Sequence, residues 1–171
     1  MDLNKLKQIN DAIISLHDIT DPFQLADTFL QHLSEIVDFD VAIWGFSDYL
    51  GDGDSMDTVL ISSPYGREYD EKLRDELESH SRYDYLKWVY SRTESLVYRD
   101  SDLINSDIRA NSFYYKDFLE KMGLIYACGV IIAHDNHPTA SLALYKDAKC
   151  EDFSDDDMFT LEYFMPHLEI A

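Results

Sequence analysis

The chain has 171 residues, of which 46% are hydrophobic, and its 14 Lys and Arg against 34 Asp and Glu give a formal net charge of −20. This length fits one domain with a core of its own, while the acidic excess repels phosphate, so we expect no direct nucleic-acid binding. The longest apolar runs are strand-sized and the N-terminus lacks a signal-peptide pattern, which argues against a membrane protein and predicts a cytoplasmic location.

Two helices are predicted at the N-terminus. The first covers residues 2–17 and has one narrow apolar seam at steps of three and four residues, formed by Leu6, Ile9, Ile13 and Leu16. Such spacing is typical of paired helices, so we expect the seam to hold a homodimer; the alternative is that it packs on the domain's own sheet. A second helix begins at Asp21-Pro22, has Gln24 at the capping-box position, and runs to about residue 37.

The middle of the chain alternates strand and helix signals. Residues 40–47 and 58–62 are rich in β-branched and aromatic residues and flank a turn at 50–54, which predicts a hairpin. Helical spacing over 68–90 is broken at 79–83, predicting two helical pieces. Residues 97–99 predict a short strand or extended link, residues 102–109 a loop or single turn, and residues 112–122 a helix that Gly123 ends.

The C-terminal third carries the strongest strand signals. Residues 124–133 and 139–145 flank the turn cluster 135–138 and predict the central antiparallel hairpin. A last helix begins at Ser154, which has Asp157 at the capping-box position. The order of elements predicts a single α+β domain over residues 1–171, with helices around an antiparallel sheet and the N- and C-terminal helices together.

Three segments carry a family resemblance: Tyr98-Arg99-Asp100-Ser101-Asp102-Leu103, residues 112–119, and the C-terminal stretch from Phe153 to Ala171. With them the chain resembles the GAF-like N-terminal domains attached to LuxR-type helix-turn-helix regulators. The resemblance implies a GAF/PAS-like fold, a signal-sensing role, and a DNA-binding helix-turn-helix after residue 171. The sequence lacks the Cys-His pair of bilin-binding GAF domains, and Trp88 and Asp102 do not reproduce the Trp/Tyr/Asp spacing of homoserine-lactone sensors.

Aromatic residues concentrate in the second half of the chain, where seven of the 12 tyrosines fall between Tyr83 and Tyr126. Rings with one polar tip suit a pocket for a small organic molecule, although the same rings would also seal helices onto a sheet. We place a candidate ligand site between the strands and this aromatic segment. Its predicted residues are Trp44, Tyr83, Tyr85, Trp88, Tyr98, Phe113, Tyr114, Phe118, Tyr126 and Cys128.

Charged and catalytic residue types suggest no enzyme. Arg99, Asp100 and Asp102 predict a charge cluster that fixes the link before the 112–122 helix, with capture of an acidic ligand by Arg99 as the alternative. The sequence has no Gly-x-Ser-x-Gly elbow, Gly-rich phosphate loop or paired metal motif, and Cys128 and Cys150 are not clustered. We therefore expect no catalysis, no metal, no cofactor and no disulfide.

Three functions remain open on the sequence. The first is a sensor domain that binds an unidentified small molecule and controls a DNA-binding domain of a bacterial transcription factor. The second is a ligand-free dimerisation or protein-interaction module, and the third is a small hydrolase or redox enzyme of unfamiliar motif. An aromatic-lined cavity would favour the first.

Overall fold

The centre of the molecule is a five-stranded antiparallel sheet. The structure, a computed structural model, describes residues 3–46 and 58–169. The strands are β1 (Val41–Phe46), β2 (Thr58–Ser62), β3 (Leu96–Arg99), β4 (Tyr126–His134) and β5 (His137–Lys146), in the spatial order β2-β1-β5-β4-β3. The two predicted hairpins are confirmed, and β4 and β5 pair centrally as expected. The turn predicted at 50–54 lies outside the described residues.

Helices cover both faces of this sheet, which confirms the predicted α+β fold. They are α1 (Leu3–Leu16), α2 (Pro22–Leu33), α3 (Arg67–His80), α4 (Asp100–Leu103), α5 (Ser106–Asn111), α6 (Glu120–Met122) and α7 (Asp155–Leu168). Two 3₁₀ turns, Ser81–Tyr83 and Lys87–Ser91, follow α3, and a π-helical turn, Tyr115–Leu119, leads into α6. Within residues 3–46 and 58–169, no helix combines the length and apolarity needed to cross a membrane.

Local signals act as the sequence indicates. The Asp21 side chain accepts the backbone N–H of Gln24 at 2.8 Å and begins α2. At the start of α7, Ser154 and Asp157 form the expected reciprocal capping box. Asp135 and Asn136 both have positive φ, 51° and 63°, which makes the two-residue turn that joins β4 to β5.

The segment between β3 and β4 is more helical than predicted. Residues 102–109 form no open loop: α4 occupies Asp100–Leu103, and α5 begins one residue after Asn105, whose side chain accepts the N–H groups of Asp107 and Ile108. An asparagine N-cap with so short a helix behind it carries little periodic signal. Gly123, with φ of 75°, ends α6 as expected.

The sheet separates two apolar layers, because successive side chains of a strand point to opposite faces. The first layer packs α1, α2 and α7 against one face, and the second packs α3, the 3₁₀ turns and the π-helical turn against the other. The first layer takes from the sheet Ala42, Trp44, Cys128, Val130, Ile132, Leu142 and Leu144. The second layer takes Val41, Ile43, Tyr98, Ala127, Ile131, Ala143 and Tyr145.

The apolar seam of α1 belongs to the first layer, which corrects the expected dimer interface. Ile9, Ile13 and Leu16 are buried among the side chains of α2 and α7, and only Leu6, at 38% exposure, reaches the surface. These three side chains already lie in the core of their own chain, so the seam is not free for a partner. Homodimer formation itself stays a prediction, and it would need a surface other than this seam.

Candidate functional site

The candidate site lies on the second face of the sheet, where five tyrosines gather near the β3 and β5 strands. Tyr98, Tyr114 and Tyr145 are buried, and Tyr85 and Tyr90 are partly buried. The Tyr85 and Tyr114 rings lie 5.8 Å apart in an edge arrangement, and Tyr90 packs with Tyr98 in one apolar cluster. Interiors of this kind combine apolar area with polar groups that orient a partner.

These hydroxyls keep their protons. Burial raises the pKa of Tyr98, Tyr114 and Tyr145 well above the ordinary value of 10, and nearby tyrosines add to the shift. Tyr90 responds in the same direction for the same reasons. The cluster therefore offers neutral O–H donors and oxygen acceptors, and it supplies no base.

Gly129 makes room for one member of this cluster. Tyr98 pairs with Gly129 across β3 and β4, and its ring crosses the strand at that position. A Cβ added at Gly129 would lie 2.8 Å from the Tyr98 hydroxyl oxygen and closer still to the Leu142 carbonyl oxygen. Only glycine lets the Tyr98 side chain lie flat on the sheet here.

A buried ion pair stands beside the tyrosines. The Asp100 carboxylate is 3% exposed; its Oδ2 accepts the Arg109 Nε at 2.5 Å and the Tyr85 hydroxyl at 2.8 Å. Arg109 also donates to the Ile125 carbonyl oxygen, and its guanidinium lies 4.5 Å from the Tyr115 ring centroid. Burial disfavours the charged guanidinium, but Asp100 and Tyr85 outweigh burial and raise the pKa of Arg109.

One oxygen of this ion pair is unsatisfied. Asp100 Oδ1 is buried and finds no hydrogen-bond donor among residues 3–46 and 58–169. A buried carboxylate oxygen without a donor is costly, and few such atoms occur in native proteins. Asp100 Oδ1 therefore has an unused hydrogen-bonding capacity, in a residue that lines the pocket described next.

A pocket of about 270 Å³ adjoins the ion pair. It lies between α4, α5 and the start of β4, and Asp152 also lines it. The lining combines acid, base, hydroxyl and ring groups; it consists of Asp100, Ser101, Ile104, Ser106, Arg109, Ala110, Tyr115, Ile125, Tyr126, Ala127 and Asp152. The volume accommodates a small organic molecule or the polar end of a larger one.

A second carboxylate, Asp84, faces the tyrosine cluster from the link between the two 3₁₀ turns. Its Oδ1 accepts the backbone N–H of Leu86 at 2.8 Å. Burial, opposed by this hydrogen bond and assisted by the charge of Asp100, raises the pKa of Asp84 from 3.8 to about 6. Two carboxylic acids, Asp84 and Asp100, therefore lie beside the tyrosine cluster.

The structure brings four of the predicted site residues together on this face. Tyr85, Tyr98, Tyr114 and Phe118 all line the second layer, with the Tyr114 and Phe118 rings 5.1 Å apart. Tyr126 lines the pocket at its other side and also packs against the first layer.

The structure does not bring the other predicted residues to the site. Trp44 and Cys128 point to the opposite face of the sheet, where Trp44 contacts Phe29 at a ring distance of 5.6 Å. Tyr83, Trp88 and Phe113 are 47%, 48% and 51% exposed, so they form surface rather than lining. The strand parity that separates Trp44 and Cys128 from the tyrosines is the physical reason for the first difference.

Sequence reasoning missed Asp84, Arg109 and Tyr145 as site residues and placed Asp100 in a charge cluster with Arg99 and Asp102. The structure divides that cluster: Arg99 binds Asp102, whereas Asp100 turns inward to Arg109. Asp100 and Arg109 lie nine positions apart on different helices, and no local spacing rule pairs them. An aspartate directly after a strand signal was the usable clue.

One group of metal-ligand types also comes together. Ligand atoms of Asp40, Asp147 and Cys150 lie within 4.8 Å of one another. Asp40 accepts the N–H of Asp147 at 2.9 Å, and Asp147 accepts the N–H of Lys149 at 2.6 Å. These hydrogen bonds of the loop after β5 account for the grouping.

Comparisons with known proteins identify the fold. No protein-family model and no curated protein matches the chain. Among solved structures, the chain is similar to the N-acylhomoserine-lactone-dependent LuxR-family transcription factor CepR2 of Burkholderia cenocepacia, with 14% identity, 98% of this chain and 99% of that chain covered, and a TM-score of 0.58.

Two further structures of the same class are similar. For the ligand-binding domain of VqsR from Pseudomonas aeruginosa the identity is 14%, the coverage 98% of this chain and 91% of that chain, and the TM-score 0.52. For SdiA of Escherichia coli the identity is 10%, the coverage 96% of this chain and 64% of that chain, and the TM-score 0.61. The chain therefore shares its fold with CepR2, VqsR and SdiA, and CepR2 is a LuxR-family protein, the class that the sequence resemblance implied.

Proposed function

We propose that this chain is the ligand-sensing domain of a transcription regulator and that it binds a small organic molecule in the pocket beside Asp100. The observation that carries the proposal is Asp100 Oδ1, a buried carboxylate oxygen without a donor among the described residues, at the border of a 270 Å³ pocket. A ligand N–H or O–H would satisfy this oxygen, and the rings of Tyr115 and Tyr126, which line the pocket, would cover the apolar remainder of the molecule.

The similar structures support this class of ligand. CepR2 is described as dependent on N-acylhomoserine lactone, and SdiA has been solved in complex with octanoyl-rac-glycerol. Both compounds join an acyl chain to a polar head that contains an N–H or O–H donor. The pocket is small, so we assign it to the polar head group of such a compound.

The chemistry of the site favours binding over catalysis. Asp100 is held by Arg109, and the raised pKa of the tyrosines leaves them protonated, so neither group is an available base. Burial raises the pKa of the Cys128 thiol well above its ordinary value, and this cysteine lies on the other face of the sheet. We infer that the chain is not an enzyme and that its output is a change of affinity or shape in a neighbouring DNA-binding domain.

The test is a binding titration of the purified chain with N-octanoyl homoserine lactone and with 1-octanoyl-rac-glycerol, followed by calorimetry and thermal shift. We expect at least one probe to bind, and Asp100→Asn to weaken that binding roughly tenfold or more, because a charged acceptor is lost. Asp107→Asn is the matched control, since Asp107 is exposed on α5. Equal affinity in wild type and Asp100→Asn would contradict the site.

One observation favours a second function, a protein-interaction module. Tyr83, Trp88 and Phe113 are about half exposed, and the Tyr83 and Phe113 rings lie 4.8 Å apart on the surface. Exposed aromatic groups of this kind occur at protein interfaces. If neither probe changes the melting temperature while Tyr83→Ser and Phe113→Ser abolish self-association in sedimentation, the interaction module replaces the sensor.

A further inference from the structure

The segment 99–102, which we call the coupling segment, joins the candidate site to the start of the C-terminal helix. It begins with the last residue of β3 and continues into α4. Arg99 pairs with Cys128, whose side chain belongs to the first layer, while Tyr98 belongs to the second. Neighbouring residues therefore serve opposite faces of the sheet, and a four-residue stretch contacts both layers.

On the site side, the coupling segment contributes Asp100. Its Oδ2 is held by Arg109 and Tyr85, and its Oδ1 is the unsatisfied oxygen beside the pocket. A donor that reaches Oδ1, or a change in the charge of this carboxylate, alters the forces on the first residue of α4. Helix α4 is a single turn closed by the hydrogen bond from the Ile104 N–H to the Asp100 carbonyl oxygen, so Asp100 is tied directly to the residues that follow it.

On the other side, the same segment contacts the residues that begin α7. Arg99 donates from Nη1 to the Phe153 carbonyl oxygen at 2.8 Å and to Asp155 Oδ1 at 3.0 Å. The Ser101 hydroxyl donates to Asp152 Oδ2 at 2.6 Å. Both flanking neighbours of Asp100 are thus bonded to the stretch 152–155.

Two features make these contacts stiff. Arg99 is held by Asp102 through two parallel hydrogen bonds of 3.0 Å each, a bidentate geometry that fixes the guanidinium plane. Phe153 is 1% exposed and anchored in the first layer, with the Lys146 ammonium 4.4 Å from its ring centroid. Since Phe153 precedes the Ser154 cap, a displacement of its carbonyl reaches the first turn of α7 directly.

We infer that the coupling segment transmits the state of the Asp100 carboxylate to the first turn of α7 through Arg99 and Ser101. A ligand donor at Asp100 Oδ1 shifts α4, and the Arg99 and Ser101 bonds carry the shift to residues 152–155. The inference rests on the proposed function only for what occupies the pocket; the coupling itself is a property of the chain without ligand.

Amide hydrogen exchange of the whole chain without ligand tests the coupling. The reporters are the Asp157 and Met158 amides, which bond to the Ser154 carbonyl in the first turn, and the Glu169 amide, which bonds to the Met165 carbonyl at the far end. Asp100→Asn should speed exchange at the two first-turn amides roughly three- to tenfold and leave the Glu169 amide unchanged.

The decisive comparison repeats Asp100→Asn in a severed background, Arg99→Met with Ser101→Ala. There Asp100→Asn should change first-turn exchange less than about twofold, since the connecting bonds are gone. An equal effect in both backgrounds, or none in wild type, overturns the inference, and Asp107→Asn is the control on α5. If circular dichroism shows the double variant unfolded, Ser101→Ala alone must still reduce the effect, and no reduction also overturns it.

A failed ligand titration leaves this result untouched, because no ligand is added. Conversely, if Asp100→Asn changes first-turn exchange equally in both backgrounds, the coupling is wrong. Binding of a probe that depends on Asp100 would still support the proposed function.

Discussion

Gly129 has no Cβ, and the Tyr98 ring lies in the space that a Cβ would occupy. We expect Gly129→Ala to lower the free energy of unfolding by roughly 3 kcal/mol, because its Cβ overlaps the Leu142 carbonyl and the Tyr98 ring in a filled interior. Gly123→Ala is the comparison: it has open space, so only the cost of its left-handed backbone, about 1 kcal/mol, applies. Urea unfolding measures both, and equal losses would contradict the steric explanation.

Asp84 gives the stability of the chain a pH dependence with a definite sign. Burial raises the pKa of Asp84 to about 6 in the folded chain, against an ordinary value of 3.8. Between these two values the folded state binds more protons than the unfolded state, so the free energy of unfolding falls as the pH rises. Above pH 6 the folded chain retains an ionised carboxylate among phenol groups at a cost.

Asp84→Asn tests this argument, because the amide stays neutral and keeps an oxygen for the Leu86 N–H. We expect the variant to be about 2 kcal/mol more stable than wild type at pH 7.5, and the difference to shrink toward zero near pH 4. Asp75→Asn, at an exposed position of α3, should show no such trend. Chemical denaturation across this pH range decides, and a pH-independent gain would count against the buried acid.

Helix α1 shows an apolar seam that is used within the chain. Ile13 is 6% exposed and Ile14, its neighbour, is 61% exposed. Ile13→Ala should therefore cost roughly 2–4 kcal/mol of unfolding free energy, whereas Ile14→Ala should change it by less than about 0.5 kcal/mol. The pair is measured by urea unfolding at two protein concentrations. A cost for Ile13→Ala that depends on concentration would restore the dimer seam.

The elements themselves were largely predictable, because their ends depend on neighbouring residues. Asp21, Ser154 and the Asp135-Asn136 turn each act through bonds or dihedrals within a few positions. The face to which a strand side chain points was not predictable. Both faces of this sheet are covered by helices, so β4 is apolar throughout, and the alternation that usually separates inside from outside is lacking.

The site was predictable only in part for the same reason. The aromatic richness of residues 83–126 predicted Tyr85, Tyr98, Tyr114 and Phe118 as site residues, and the structure places these four on one face of the sheet. Trp44 and Cys128 were assigned with them because their strands are apolar on both faces, so the sequence does not show to which face each side chain points. The Asp100 and Arg109 pair depends on how α4 and α5 fold back over β4, which is a tertiary property with no signature in a short window.

The net charge of −20 acts on the molecule as a whole. Acidic side chains crowd exposed elements such as α3, with the sequence Arg-Glu-Tyr-Asp-Glu-Lys-Leu-Arg-Asp-Glu-Leu-Glu-Ser-His. We expect no retardation of duplex DNA by this chain at protein concentrations up to about 100 μM, even at low salt, since phosphate contacts need clustered cations. Gel-shift titration at two salt concentrations measures it, and a salt-sensitive complex would contradict the charge argument.

The π-helical turn at Tyr115–Leu119 allows the position of Tyr114 to be changed by the loss or gain of one residue. A π turn holds one residue more than an α turn, and removing that residue would rotate Tyr114 by about 100° relative to α6. Tyr114 would then leave the tyrosine cluster while Gly123 and the strands after it kept their places. Insertion or deletion of one residue at this turn would therefore change the position of Tyr114 relative to the other four tyrosines of the cluster.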